Sequence, residues 1–191
     1  MSEGARERGK ARRRQAILRS AYQLFAERGF EATTIADIAE AAEVAPRTVT
    51  LYFPSKLELA TSYLDEMVDR LQAALRAPKS GTTTLGALER WLREELRQSN
   101  SSDKLDALWD RMLETNPALQ AVAHARLAEA IQEGARIYAA ESGWAPDAFA
   151  ARMVAASAAA ALNEVFMHPS EENIATAMAF IEAGIAALPA G

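Results

Sequence analysis

Hydrophobic residues recur with a helical period along almost the whole of this 191-residue chain. Nowhere do they alternate as a half-buried strand requires. Between Arg12 and Arg28 the set Ile17, Leu18, Ala21, Leu24 and Phe25 forms one continuous stripe. Gly29 follows, suited to the left-handed conformation that ends a helix. Thr33 and Thr34 then offer an N-cap for a helix over Ile35–Ala42, and Glu43 to Ala45 form a short turn. Pro46 opens a third helix over Arg47–Phe53, where its missing N–H has no partner to lose. Pro54 breaks that helix and Ser55 can cap the next. Longer segments complete the chain: Lys56–Ala77, Leu85–Gln98, Asp103–Thr115, Ala118–Glu141, Asp147–His168 and Glu171–Leu188. They are separated by a connector at Pro78–Gly81, a Ser/Asn loop at Ser99–Ser102, a break at Asn116 and Pro117, and Ser142 with Gly143. The expected fold is all-α with about nine helices. Residues 1–56 form an N-terminal three-helix, helix-turn-helix domain, and residues 57–191 a C-terminal helical domain.

Most chemistry is excluded by what the chain lacks. There is no cysteine, so disulfides, thiolate zinc sites and cysteine nucleophiles are out. Of the two histidines, His124 shares a face with Leu127 and Ile131. Glu164 and His168 sit at i, i+4, not the i, i+3 spacing of di-iron bundles. Asp103, Asp106 and Asp110 share a helix face that could hold a divalent ion, but they flank Leu105, Leu108 and Trp109, as a solvated outer face does. No nucleophile elbow, zinc-protease motif or P-loop is present. No catalytic residue, metal or cofactor is expected. The longest apolar stretch, Met153–Leu162, is interrupted by Ser157 and falls short of the roughly 20 residues that span a bilayer. Met1–Arg14 is polar and arginine-rich, unlike a secretory signal, so the expected location is cytoplasmic, with no membrane partner.

The net charge of −5 hides an asymmetry. Residues 1–56 carry ten Lys/Arg against seven Asp/Glu, a net +3, which leaves −8 on the remainder. Such a division points to an N-terminal segment that faces a polyanion and a body that does not. The basic arm Arg6–Arg14 fits two descriptions: a tail that follows a duplex or enters a minor groove, and a solubilising tail without structure.

The third short helix can be read by geometry. Val49 and Phe53 lie within about 40° of each other on the helical wheel and mark the buried side. Arg47 and Leu51 then face outward, flanked by Thr48, Thr50 and Tyr52. In a major groove an arginine can pair with guanine or phosphate, a threonine with either, and an apolar group with a thymine methyl.

These residues carry a resemblance. Gly29 and Phe30, Thr33 and Thr34, Ile38 and Ala39, then Val44, Thr48, Val49, Tyr52, Phe53, Ser55, Lys56 and Leu59 stand at the spacing of the TetR family of transcriptional regulators. The chain departs from the family at Thr50, where an aromatic is usual, and at Ala45, where serine is usual. The resemblance implies that Thr34, Thr48, Tyr52 and Lys56 contact the sugar–phosphate backbone. Arg47, Thr50 and Leu51 are the readers of sequence. Thr34 also fits a plain N-cap, Tyr52 a half-buried ring, and Lys56 a solvated charge. The partners implied are double-stranded operator DNA, a second copy of the chain, and a small-molecule effector, as in a ligand-responsive repressor. The rival description is a helical-bundle ligand- or metal-binding protein without DNA binding.

The C-terminal body fits both remaining jobs by composition. Ala151, Ala155 and Ala159 at i, i+4 spacing permit close helix approach, and with Leu162, Phe166, Ile174, Met178 and Ile181 they are the candidates for a symmetric dimer interface. Trp91, Trp109, Met112, Leu113, His124 and Tyr138 are the candidates for an apolar effector pocket, and each also fits ordinary core.

Overall fold

The computed structural model describes residues 3–76, 81–101, 105–145 and 147–188. Among them are nine helices and no strand. In chain order these are α1 (Glu3–Arg28), α2 (Ile35–Ala41), α3 (Pro46–Tyr52), α4 (Lys56–Arg76), α5 (Thr84–Ser101), α6 (Leu105–Thr115), α7 (Pro117–Glu141), α8 (Phe149–Met167) and α9 (Glu171–Ala186). The all-α expectation holds, with two local differences. α1 begins at Glu3, so the arm Arg6–Arg14 is helical and is not an unstructured tail. α5 runs through the stretch expected to loop, Ser99–Ser101; Ser102, like Asp103, lies outside the described residues.

The chain divides into two compact units: residues 1–65 with 102–124, and residues 66–101 with 125–191. The expected boundary at residue 56 is therefore not where the packing divides. α6 and the first turns of α7 belong with the N-terminal helices, because α6 lies against α1.

In the first unit, Ile17, Ala21, Tyr22 and Phe25 of α1 meet Ile38 of α2, Val49 of α3, Leu59 of α4 and Met112 of α6, all without exposure. Two polar devices fix this core. The Tyr22 hydroxyl lies 3.3 Å from Ser62 Oγ and accepts from the Tyr63 N–H at 3.3 Å. Asn116, buried in the break between α6 and α7, donates through Nδ2 to the carbonyls of Phe25 (2.9 Å) and Met112 (2.8 Å). Its Oδ1 accepts from the Phe30 N–H at 2.7 Å. One side chain thus ties the end of α6 to the end of α1 and to the turn that follows it. The chain can make that turn because Gly29 sits at φ 88°, where a Cβ would be strained.

On α6, Asp110 lies at an exposed position, yet partial desolvation of its carboxyl raises its pKa, and Asp106 and Glu114 one turn away add to the rise. The charged form is thus less favourable in the fold than in the unfolded chain. The penalty is fully present at neutral pH and is lifted as pH falls through the raised folded value towards the unfolded one. Asp110→Asn should therefore raise the melting temperature at pH 7. The gap between variant and parent should close as thermal melts are repeated towards pH 4.

In the second unit, Arg70 grips Glu95 with two hydrogen bonds of 2.8 and 2.7 Å, joining α4 to α5. Arg93 of α5 pairs with Glu89 on its own helix and with Glu171 at the start of α9. Glu141, at the end of α7, accepts from the N–H of Thr84 at 3.0 Å and from its hydroxyl, serving as an external cap for the first turn of α5. α8 buries Ala151, Val154, Leu162 and Val165, and α9 buries Ile174, Met178 and Ile181.

Candidate nucleic-acid interface and ligand cavity

The second and third helices are held by short-range chemistry that the sequence dictates. The Thr34 Oγ1 accepts from the Asp37 N–H at 3.1 Å, and Asp37 accepts from the Thr34 N–H at 2.8 Å, a reciprocal capping box at the start of α2. The Thr34 hydroxyl, which donates to Asp37 Oδ2 at 2.6 Å, and then the Thr34 N–H hold the Asp37 carboxyl below its ordinary pKa. Glu43, at φ 54°, turns the chain between α2 and α3. Pro46 stands in the first turn of α3, and Ser55 accepts from the Glu58 N–H at 3.1 Å to cap α4.

This frame leaves one side of α3 free. Val49 and Phe53 are buried, whereas Leu51 is 81% exposed and Arg47 and Thr50 are also exposed. Thr48 and Tyr52 are half-buried on the flanks.

Lys56 is placed differently from the solvated or phosphate-bound charge expected of it. Its Nζ donates to the carbonyls of Phe30 (2.7 Å) and Thr33 (3.0 Å), with Glu31 at 3.4 Å, and sits 4.4 Å from the Phe30 ring centroid. An ammonium has three donors, and these carbonyls use them. Lys56 therefore clamps the turn between α1 and α2, a role hidden from sequence because its partners are backbone atoms 23 to 26 residues away.

The expected pocket residues are not brought together. Met112 is in the core of the first unit, with Leu113 and Trp109 packed against it and the Trp109 ring 5.3 Å from that of Tyr63. His124 is exposed. Trp91 is buried in the second unit against Phe166, their rings 6.2 Å apart. An apolar cleft open to solvent does exist in the second unit. Leu71 and Leu75 of α4, Thr84, Leu85 and Leu88 of α5, Ala130, Ile131, Gly134, Ala135 and Tyr138 of α7, Val154, Ala158 and Leu162 of α8, and Ile181 of α9 line it. Of the six expected residues, Tyr138 is in this set. No charged side chain is in it, and Thr84 and Tyr138 bring its two hydroxyls. A readable signal was the i, i+4, i+8 row Ala130, Gly134, Tyr138, small residues leading to a phenol on one face of α7.

The expected dimer residues also need correcting. Ala151, Leu162, Ile174, Met178 and Ile181 are buried within the single chain, Leu162 and Ile181 in the cavity wall, and Ala155, Ala159 and Phe166 are half-buried. The large apolar side chains that remain exposed on α8 and α9 are Phe149 (68%), Met153 (43%), Met167 (67%) and Phe180 (61%). α8 is also long and apolar enough to cross a membrane by length and composition, a test that the shorter run Met153–Leu162 fails. No group of three or more metal-ligating side chains occurs among the described residues.

Residues 17–63 match the family model of bacterial regulatory proteins of the tetR family, which is the segment from the first core residue of α1 to the second turn of α4. The HTH-type transcriptional regulator TcmR of Streptomyces glaucescens is 34% identical over 146 residues, covering 73% of this chain and 65% of that protein. The match therefore spans less than two thirds of that relative's length. Among solved structures, NalD of Pseudomonas aeruginosa, the secondary repressor of the MexAB-OprM multidrug efflux pump, aligns over 92% of this chain and 96% of its own, with a TM-score of 0.60 at 20% identity. FadR of Thermus thermophilus, a transcriptional repressor in complex with lauroyl-CoA, aligns over 93% and 100% with a TM-score of 0.51 at 21% identity. At such identities the structures speak for the fold alone. With the capped helix-turn-helix and the matched segment together, residues 17–63 form a helix-turn-helix of the tetR type, set in a fold that these solved repressors share.

Proposed function

We propose that this protein is a cytoplasmic, homodimeric repressor that binds operator DNA through α3 and leaves it when a small apolar effector enters the cavity of the second unit. The observation that carries the DNA-binding half is the exposed face of α3, where Arg47, Thr50 and Leu51 project from a helix whose opposite side is locked by Val49 and Phe53. Thr34, Thr48 and Tyr52 flank that face and serve as phosphate contacts. Lys56 supports it from behind by holding the turn before α2. Thr50 in place of an aromatic leaves room near the centre of the helix, where a base edge can be approached.

The effector half rests on the cavity. Its walls are almost wholly aliphatic, so an uncharged ligand keeps its apolar body against leucines and alanines while Tyr138 offers a hydroxyl. α4 is the lever of this design: it begins at Lys56, beside the turn before α2, and carries Leu71 and Leu75 into the cavity wall. A ligand that prefers one position of α4 biases the two α3 helices of a dimer towards or away from the roughly 34–36 Å spacing of successive major grooves.

The test is fluorescence anisotropy on duplexes selected from a random pool by the purified protein. Arg47→Ala should cost about 1–3 kcal/mol on the selected duplex and little on unrelated ones, as loss of a base contact does. Uncharged apolar compounds should lower operator affinity, and Gly134→Leu, which fills the cavity, should abolish that response. A Cβ at Gly134 would lie 3.0 Å from Leu75 Cδ1, so the end of the Leu75 side chain must give way slightly to admit the new residue. No preference for any duplex would sink the DNA-binding reading, and release by every ligand in the Gly134 variant would sink the cavity.

A further inference from the structure

We propose that the basic segment of α1 ahead of the core is a second nucleic-acid contact, a preformed helix that lies along duplex phosphates outside the groove read by α3. It rests on the DNA-binding reading for its partner but not for its chemistry. α1 is helical from Glu3, yet its first buried residue is Ile17, and every residue from 4 to 16 is exposed except the half-buried Gly9 and Arg14. That stretch has no apolar side chain larger than alanine, so neither a hydrophobic groove nor a bilayer interior has anything to hold. What it offers is charge: Arg6, Arg8, Lys10, Arg12 and Arg13 against the single acid Glu7.

The helix is poorly supported by its own residues. Arg6 and Lys10, and Arg8 and Arg12, are like-charge pairs at i, i+4, which oppose helix formation. Gly4 and Gly9 lower its propensity further. A polyanion removes the repulsion, so this composition suits a helix that works while bound to phosphates. The cations also stand on two flanks, Arg6, Lys10 and Arg13 on one and Arg8 and Arg12 on the other, about 140° apart on the wheel. Both flanks of the helix can therefore meet phosphate oxygens.

Two dimensions place the contact. A helix with side chains is about 10–12 Å across, whereas the minor groove is about 6 Å wide, so this arm in helical form does not enter it. The stretch is about 20 Å long, enough to pass several phosphates. Its base is also in the right neighbourhood: the Arg14 guanidinium lies 5.1 Å from the ring centroid of Phe53, the residue that ends α3. The basic helix thus leaves the core beside the end of the reading helix.

The experiment compares the full chain with a variant in which Arg6, Arg8, Lys10, Arg12 and Arg13 are all glutamine, by anisotropy across a salt series on the selected duplex and on an unrelated one. Each neutralised phosphate contributes about −0.9 to the slope of log K against log salt. The variant should show a slope shallower by about 2–4 units and a loss of roughly 100-fold near 0.1 M salt, equal on both duplexes. Its melting temperature should not fall, because none of the five residues reaches the core and loss of the like-charge pairs favours the helix. Unchanged slope and affinity would overturn the proposal, and so would a loss confined to the selected duplex, which would make the segment a reader of bases. Binding of the parent to phosphatidylserine vesicles with no difference in duplex slope would overturn it in favour of a membrane surface. If neither protein prefers the selected duplex, the reading assigned to α3 fails, while the slope difference still decides for the basic helix.

Discussion

Asn116→Ala should destabilise the first unit by about 2–4 kcal/mol, the largest effect expected of any single truncation outside the apolar core. The residue is 8% exposed and serves three backbone groups, two of which, in Phe30 and Phe25, lie 86 and 91 residues away in sequence. The Phe25 carbonyl keeps a second partner in the Gly29 N–H at 3.0 Å, and Met112 lies within helix α6. The Phe30 N–H is the group most harmed, because the turn around Gly29 offers it no substitute acceptor. An unmade bond at a partly buried amide costs about 1–3 kcal/mol, and the loss of packing around a shrunken side chain adds to it. Urea denaturation followed by tryptophan fluorescence measures the change, since Trp109 packs against the same core. Asn116→Asp retains an acceptor for Phe30 but sets a carboxylate oxygen against the carbonyls of Phe25 and Met112, so at neutral pH it should destabilise at least as much as alanine. A midpoint unmoved in both variants would show that this hub is not what joins α6 to the end of α1.

Phe149→Glu combined with Phe180→Glu should convert the proposed dimer into monomers. Both rings stand on the sides of α8 and α9 away from the chain's own core, 68% and 61% exposed, alongside Met153 and Met167. Burying a phenylalanine contributes about 1.5–3 kcal/mol, and in a two-fold interface each substitution counts twice. The pair should therefore weaken self-association by many orders of magnitude. Sedimentation velocity across a concentration series reads this directly, and circular dichroism should remain that of a folded helical chain because neither residue lies in the core. A variant that still sediments as a dimer would place the interface elsewhere. In that case an α8 apolar enough to suit a bilayer, yet exposed on one side, would need another cover.

The sequence by itself determined the elements and the local chemistry at their ends. The stripe Ile17 to Phe25 buries as its spacing requires, and Thr34, Pro46 and Ser55 do at the helix starts what their residue types predict. It also assigned the two sides of α3, because Val49 and Phe53 share a face whatever that face packs on. These properties depend on residues within about one turn of each other, so linear spacing carries them. Which helices meet was decided only in the tertiary structure. Trp109, Met112 and Leu113 are large and apolar enough for a pocket wall, but α6 packs on α1, and they became core of the first unit. Ile174, Met178 and Ile181 face inward because α9 covers α5 and α8, leaving Phe149 and Phe180 exposed. Lys56 shows the same limit at a single atom, since its ammonium is claimed by carbonyls that the fold brings back from more than twenty residues earlier. A helical period states that a side chain is buried; the neighbour that buries it is set by how the helices pack, and one sequence stripe is compatible with several such neighbours.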